Sequence, residues 1–253
     1  MNFPMKVLIF LAFLSFFLYF SGWPDISMST DVLSAPSYLH FLGTDAMGQD
    51  VLFKLLSALP YTLLISLMCG ILPVIIGLIL SVTSVWSGGW IDRIISKFID
   101  IFLLLPSLLI LIVFSGILET SFISTVLLIS FLNWADDYKV LKASLYKIKQ
   151  SDAILTCMSF GASRFYLLIN YIFPPLQPVI LMLFLQNARH SVIIVAGLSF
   201  LGLTDPRLLT WGTLLMEAQQ QIHHQVFWWL ICGPVVGISM LVILLTYSGR
   251  TKN

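Results

Sequence analysis

The chain has 253 residues, 58% of them apolar and 10% charged, with a mean hydropathy of +0.98; a water-soluble domain carries about a quarter charged residues, so a soluble globule is excluded. Thirteen Lys+Arg against twelve Asp+Glu leave a net charge of +1, too balanced for a nucleic-acid binder or a polyanionic tail. Cys69, Cys157 and Cys232 are scattered along apolar runs, which indicates neither a disulfide framework nor a Cys-rich metal site.

A helical crossing of the hydrocarbon core takes roughly 20 residues, so the chain has room for several crossings and for no large soluble domain beside them. Val7 to Phe20, after Lys6, reads as an uncleaved first span, because Ser21-Gly22-Trp23-Pro24 puts an interfacial aromatic and a helix breaker where a small-residue cleavage pattern would stand. The second span is expected over about Leu55 to Val85, a run free of charge that carries Gly70, Pro73 and Gly77. A third begins in Ile94 to Asp100 and continues as Ile101 to Leu118, with a kink at Pro106. The fourth, about Thr120 to Trp134, spans only about 22 Å, so its helix is expected to run on past Asp136 and Asp137 into a polar cavity or the interface. The fifth lies near Leu176 to Leu201, after the helix-limiting Pro174, Pro175 and Pro178, and the sixth near Val226 to Tyr247.

The fold class that results is all-α and polytopic, with about six transmembrane helices. Residues 1–53 hold the first helix and an extracytoplasmic segment, and residues 54–253 the remaining spans. With strict alternation, Lys6, Arg93, Lys97, Lys139, Lys142, Lys147, Lys149, Arg164, Arg250 and Lys252 fall on one side, and Lys54 and Arg207 on the other. Basic residues favour the cytoplasm, so both termini are expected there.

Between Trp134 and Pro174 lie roughly forty residues that do not belong in lipid. Lys139, Lys142, Lys147 and Lys149 make a basic approach to the membrane surface, where anionic headgroups are the usual contact. Ser151-Asp152 then forms a plausible N-cap, Ala153 to Phe160 a short helix, and Gly161 the residue best able to turn left-handed after it. Ala162-Ser163-Arg164 offers a second start leading into an amphipathic stretch, Phe165 to Phe173. Ile154, Leu155, Met158 and Phe160 give the short helix an apolar side that no span of its own chain has to cover, which suits an interfacial helix or a helix that docks on a partner.

Inside span five, Gln186-Asn187-Arg189-His190 is the one polar cluster at depth. A cation near the bilayer centre costs about 2.5–3.5 kcal/mol, so Arg189 must face a polar interior or find a partner. Asn187, Arg189 and His190 are candidates for lining a pore, or for a structural ion pair or subunit contact. His223 and His224 are adjacent and point about 100° apart on a helix, an arrangement of surface or contact histidines rather than of metal ligands.

These features occur together in a known family. A short cytoplasmic helix closed by Gly161-Ala162-Ser163, followed by an interfacial stretch ending in Pro before the penultimate span, resembles the coupling loop (about 139–173 here) of ATP-binding-cassette importer permeases. Leu42-Gly43-Thr44-Asp45-Ala46-Met47-Gly48-Gln49-Asp50-Val51 resembles the segment before the second span in the dipeptide, oligopeptide and nickel branch. Gly88-Gly89-Trp90-Ile91-Asp92 with Lys97, Asp100 and Pro106, Trp134 with Tyr138, Lys139 and Lys142, and Leu198 to Leu203 with Trp211-Gly212 resemble further blocks in the same order. The chain departs from the pattern at Leu155-Thr156-Cys157, where the family has Glu-Ala-Ala, and at Tyr171 and Gln49, where it has His and Arg.

The resemblance implies a bacterial inner or plasma membrane permease, multi-pass, that imports peptides, nickel or a chelated metal. It works with a second homologous permease subunit, two ATP-binding subunits, an external solute-binding protein and membrane lipids. Asp152, Ile154, Leu155, Met158, Phe160, Gly161, Ala162 and Ser163 would form the ATPase-coupling loop. The chain has no Gly-x-x-x-x-Gly-Lys-Ser/Thr loop, so ATP and Mg are expected in the partner ATPase subunits; no cofactor, catalytic residue, metal ligand or nucleic-acid contact is expected in this chain. A secondary transporter and a diverged, non-transporting membrane scaffold are the alternative readings.

Overall fold

In hydrocarbon every backbone N–H and C=O has to be paired within the chain, and an apolar run meets that demand as a helix. The computed structural model describes residues 3–21 and 26–249; Gly22, Trp23, Pro24, Arg250 and Lys252, used above for the first span and the charge count, lie outside them. Among the described residues the chain is all-α, with one isolated bridge, Thr44 to Asp50, and no strand. The helices are α1 (Phe3–Ser21), α2 (Val51–Ser87), α3 (Gly89–Leu104), α4 (Ser107–Ile117), α5 (Phe122–Lys149), α6 (Asp152–Ser159), α7 (Arg164–Leu167), α8 (Phe173–Phe200), α9 (Trp211–Gln220) and α10 (Phe227–Ser248), with a π-helical turn over Leu168–Ile172.

Pro4–Ser21, Val51–Ser87, Arg164–Phe200 and Phe227–Ser248 are long and apolar enough to cross a bilayer, and the bent pair α3–α4 makes a fifth candidate. The remaining predicted span belongs to α5, whose apolar stretch ends at Trp134 before Asp136, Asp137 and Lys139. That helix does run on past both aspartates, starting from the Ser121 cap and reaching Lys149. α2 is longer than expected, 37 residues or about 55 Å. Pro106 does more than kink the third span: α3 and α4 meet at 79°, because the residue before a proline is pushed out of the α region and Leu105 is extended at φ −78°, ψ 131°.

The prolines ahead of span five do not limit the helix. Pro174 and Pro175 stand directly after the π turn at the head of α8, where the altered register of the turn accommodates their missing N–H groups. The π turn carries the chain into α8, with Phe173 N donating to Leu168 O. The stretch expected to lie separately at the interface is thus continuous with the span.

α2 is the central post. Leu59, Leu63, Ala188, Trp211 and Leu241 join it to α8, α9 and α10 near one end, Ile65, Cys69, Leu111 and Ile129 to α4 and α5 further along, and Val74, Val85, Leu141, Leu145 and Leu183 to α5 and α8 towards the other. Gly77 lets α2 and α5 touch: a Cβ there would stand 3.0 Å from both Asp137 Cβ and Tyr138 N, the close approach that small residues permit between membrane helices.

Three of the four lysines assigned above to lipid headgroups are engaged within the chain. Lys139 Nζ pairs with Asp100 Oδ1 at 2.9 Å, Lys142 with Asp92, and Lys149 Nζ donates to Val85 O at 2.7 Å. The helical continuation of α5 brings these side chains alongside α3 and the end of α2. Lys147 is exposed.

Candidate functional site

α6 is a detached handle of eight residues carried on the end of α5. Ser151 caps it through its backbone carbonyl, which accepts from Ile154 N at 3.0 Å and Leu155 N at 3.1 Å; its hydroxyl makes no capping bond and Asp152 stands exposed in the first turn. The other end closes as a Schellman motif. Gly161 N donates to Met158 O at 3.0 Å and Ala162 N to Cys157 O at 3.1 Å, with Gly161 at φ +80°, the left-handed conformation that glycine takes without a Cβ penalty. Ser163 then caps α7, accepting from Tyr166 N at 3.3 Å.

The two sides of α6 differ in a way that corrects the sequence reading of Ile154. Ile154 is 2% exposed and packs with Leu141, Leu145, Ile172 and Leu176, so its own chain covers it. Leu155, Met158 and Phe160 are 52%, 50% and 86% exposed. Gly161 and Ser163 are exposed and Ala162 is half-buried. One apolar residue fastens the helix to its own chain, while three others stand half exposed or more.

A second polar group lies along α5 and α8. Asn187, buried, donates from Nδ2 to Asp137 Oδ2 at 2.6 Å, so this residue binds a neighbouring helix of its own chain. Arg189 is half-buried and its Nη1 donates to Thr246 Oγ1 of α10 at 3.3 Å. His190 is exposed, as is Asp136. Of the three candidates for a pore lining, His190 is therefore open and Asn187 is enclosed.

The far end of α2 holds a cluster that sequence reasoning did not single out. Lys54 Nζ lies 2.7 Å from Asp45 Oδ2 and 2.6 Å from Glu217 Oε2. It ties the segment before α2 to α9, beside a cavity of about 100 Å³ lined by Met47, Gln220 and Gln221 among others. Asp45 also accepts from Met47 N and Gln49 N, and Asp50 caps α2 through Leu52 N while its other oxygen meets His40 Nδ1 at 2.8 Å. α9 is held by Trp211, whose N donates to Thr62 Oγ1 and whose Nε1 donates to Leu55 O. Between α8 and α9, Arg207 donates to Asp205 through Nε and Nη2 at 2.9 Å and through its backbone N at 3.0 Å. These bonds hold the Asp205 carboxyl below its ordinary range. The clue to Lys54 was its place as a lone charge beside a long apolar run, which requires a partner.

Comparison with known proteins agrees with this architecture. Residues 73–250 match the family described as binding-protein-dependent transport system inner membrane component. A protein of Brucella suis biovar 1 (strain 1330) that carries the name "Putative peptide permease protein" is 28% identical over 213 residues, covering 83% of this chain and 70% of that one, and one so named from Brucella ovis matches to the same extent. Among solved structures, a chain of the MetNI methionine ABC transporter in an inward-facing conformation superposes with a TM-score of 0.65 at 14% identity, over 79% of this chain and 94% of that one. A second crystal form gives 0.64.

Proposed function

The chain belongs to the family of binding-protein-dependent transport system inner membrane components and is a permease subunit of an ATP-binding-cassette importer; from that premise we propose that it imports small peptides, with α6 as the handle by which a partner ATPase drives it. The observation that carries the reading is the division of α6 into one buried anchor, Ile154, and three uncovered apolar side chains, Leu155, Met158 and Phe160. Apolar side chains left exposed together on one side of a helix mark a surface that a partner covers.

In this reading the chain crosses the membrane six times with both termini in the cytoplasm of a bacterial cell, α5 included. It pairs with a second similar permease subunit, two ATP-binding subunits that hold ATP and Mg, and an external solute-binding protein. ATP binding draws the ATPase subunits together and carries α6 with them, and the spans exchange access from one side to the other. The exchange is driven because each partner binds one state more tightly than the other. Arg189 and His190 face the path of the solute, and Asn187 steadies that face through Asp137. Peptide is favoured over nickel or a chelated metal by the names of the Brucella relatives.

Cross-linking tests the handle. With Phe160→Cys in the assembled importer, a short bifunctional reagent should join α6 to the ATPase and uptake of a labelled dipeptide should stop on cross-linking. A cysteine there that reaches only lipid, or uptake of nickel in place of the dipeptide, would refute the respective half of the reading. A chain that retains no ATPase would speak for a non-transporting scaffold.

A further inference from the structure

α6 is joined to α5 by only two residues, Gln150 and Ser151. Its travel reaches the other spans through whatever fastens α5 to them. Much of that fastening is apolar, as between Val85, Leu141 and Leu145, and holds the helices by shape complementarity without directional bonds. Single polar ties run from Lys139 to Asp100 of α3 and from Lys149 to Val85 O of α2, and the directional bonds gather most closely around Asp92. Asp92, in the first turn of α3, accepts from Ser84 of α2 and from Lys142 and Tyr146 of α5. Lys142 Nζ also donates to Ser96 Oγ of α3 at 2.6 Å, and Tyr138 OH lies 2.8 Å from Ser84 Oγ. Three helices thus meet in one set of directional bonds; the four that involve the Asp92 carboxylate or the Lys142 ammonium are charge-assisted and so about twice as strong as neutral ones. Asp92 and Lys142 are only 20% and 18% exposed, which limits screening by salt.

We propose that the Asp92–Lys142 pair is the joint that locks α2, α3 and α5 into one lever arm, so that travel of α6 is delivered to the spans instead of being lost in slippage between helices. Both are positioning residues, and the assignment rests on the reading of α6 as the handle of a partner ATPase.

The test uses the complete importer in proteoliposomes and measures ATP hydrolysed per dipeptide imported. Asp92→Asn and Lys142→Met should each raise that ratio at least tenfold with the complex intact, and the exchanged pair, Asp92→Lys with Lys142→Asp, should bring it back towards the starting value. An unchanged ratio in both single variants would overturn the proposal. So would a parallel fall of hydrolysis and uptake that the exchange does not repair, since that marks a pair needed only for folding. A second measurement leaves the joint intact: with the three native cysteines replaced by Ser, spin labels at Thr83→Cys and Gln150→Cys should keep one separation with and without ATP. A change of several ångströms would show the arm to be compliant and defeat the joint. Failure of α6 to cross-link to the ATPase is read separately, and would defeat the handle itself even where the label separation stays fixed.

Discussion

Ile154 in α6 and Phe160 at its C-cap should fail in opposite ways when truncated. Ile154→Ala removes three carbons from a site 2% exposed. At about 0.8 kcal/mol per carbon the lost transfer energy is about 2.4 kcal/mol, and the cavity left among Leu141, Leu145, Ile172 and Leu176 brings the total to about 3 kcal/mol. That is roughly a hundredfold change in the ratio of seated to unseated α6. Phe160→Ala removes a larger side chain that touches little of its own chain, being 86% exposed, and should leave the seating of α6 unchanged. Hydrogen exchange over residues 152–160, followed by mass spectrometry on the purified chain, reads the first effect, and retention of the ATPase in detergent reads the second. Ile154→Ala should accelerate exchange by up to about a hundredfold; Phe160→Ala should leave exchange alone and weaken ATPase retention. If Phe160→Ala loosened α6 as much as Ile154→Ala, or if Ile154→Ala left exchange unaltered, the division of the helix into an anchored and an offered side would be wrong.

At Gly161 a Cβ would meet nothing within 4 Å, so Gly161→Val acts through φ +80° alone, at about 1–2 kcal/mol, and should raise ATP consumed per solute several-fold, whereas Gly161→Asn should stay near the starting value. Lys54→Met leaves the Asp45 carboxylate, 9% exposed, without its cation and should cost about 3–5 kcal/mol, seen as a lower melting temperature in detergent; Glu217→Gln should cost less, because Glu217 is 42% exposed. The Asp205 carboxyl is held low by Arg207, so its contribution to the α8–α9 loop is complete above the ordinary value of about 3.9 and fades only as pH falls through the lowered native value. A carbon-13 carboxylate titration should place Asp205 below that ordinary value and show it rising in Arg207→Ala.

What was legible in the sequence was whatever a single stretch decides by itself. An apolar run of 20 residues has one stable form in lipid, so the last span was expected over Val226 to Tyr247 and is found over Phe227–Ser248; Gly161 turned left-handed for the same local reason. What stayed hidden depends on partners far along the chain. Lys54 meets Glu217 across 163 positions, and no pattern near Lys54 names that residue. α9 escaped because its ten residues are of mixed character, although Thr210 and Thr213 form a capping box at its start. Ile154 was placed on the outer side because hydrophobicity alone does not tell which apolar residue of a short helix meets its own chain. Pro174 and Pro175 were read as barriers, yet the helix runs on through them from the π turn.

The two departures from regular helix geometry lie on either side of the body formed by α2, α3 and α5. On one side α4 leaves α3 at 79° through Leu105 and Pro106; on the other, the π turn at Leu168–Ile172 separates α7 from α8. Neither break keeps the continuous i→i−4 ladder that stiffens a helix, so bending costs least at these two places. Between them the chain is cross-tied by polar bonds at two levels, Asp92 with Lys142 below and Asp137 with Asn187 higher up, the latter joining α5 to α8 beyond the π turn. If α6 is driven as proposed, a force applied there would meet a stiff segment through α5 and compliant points beyond it. In that case the Asp137–Asn187 bond, which ties α8 to α5, would limit how far α8 can bend at the π turn before it must move with α5.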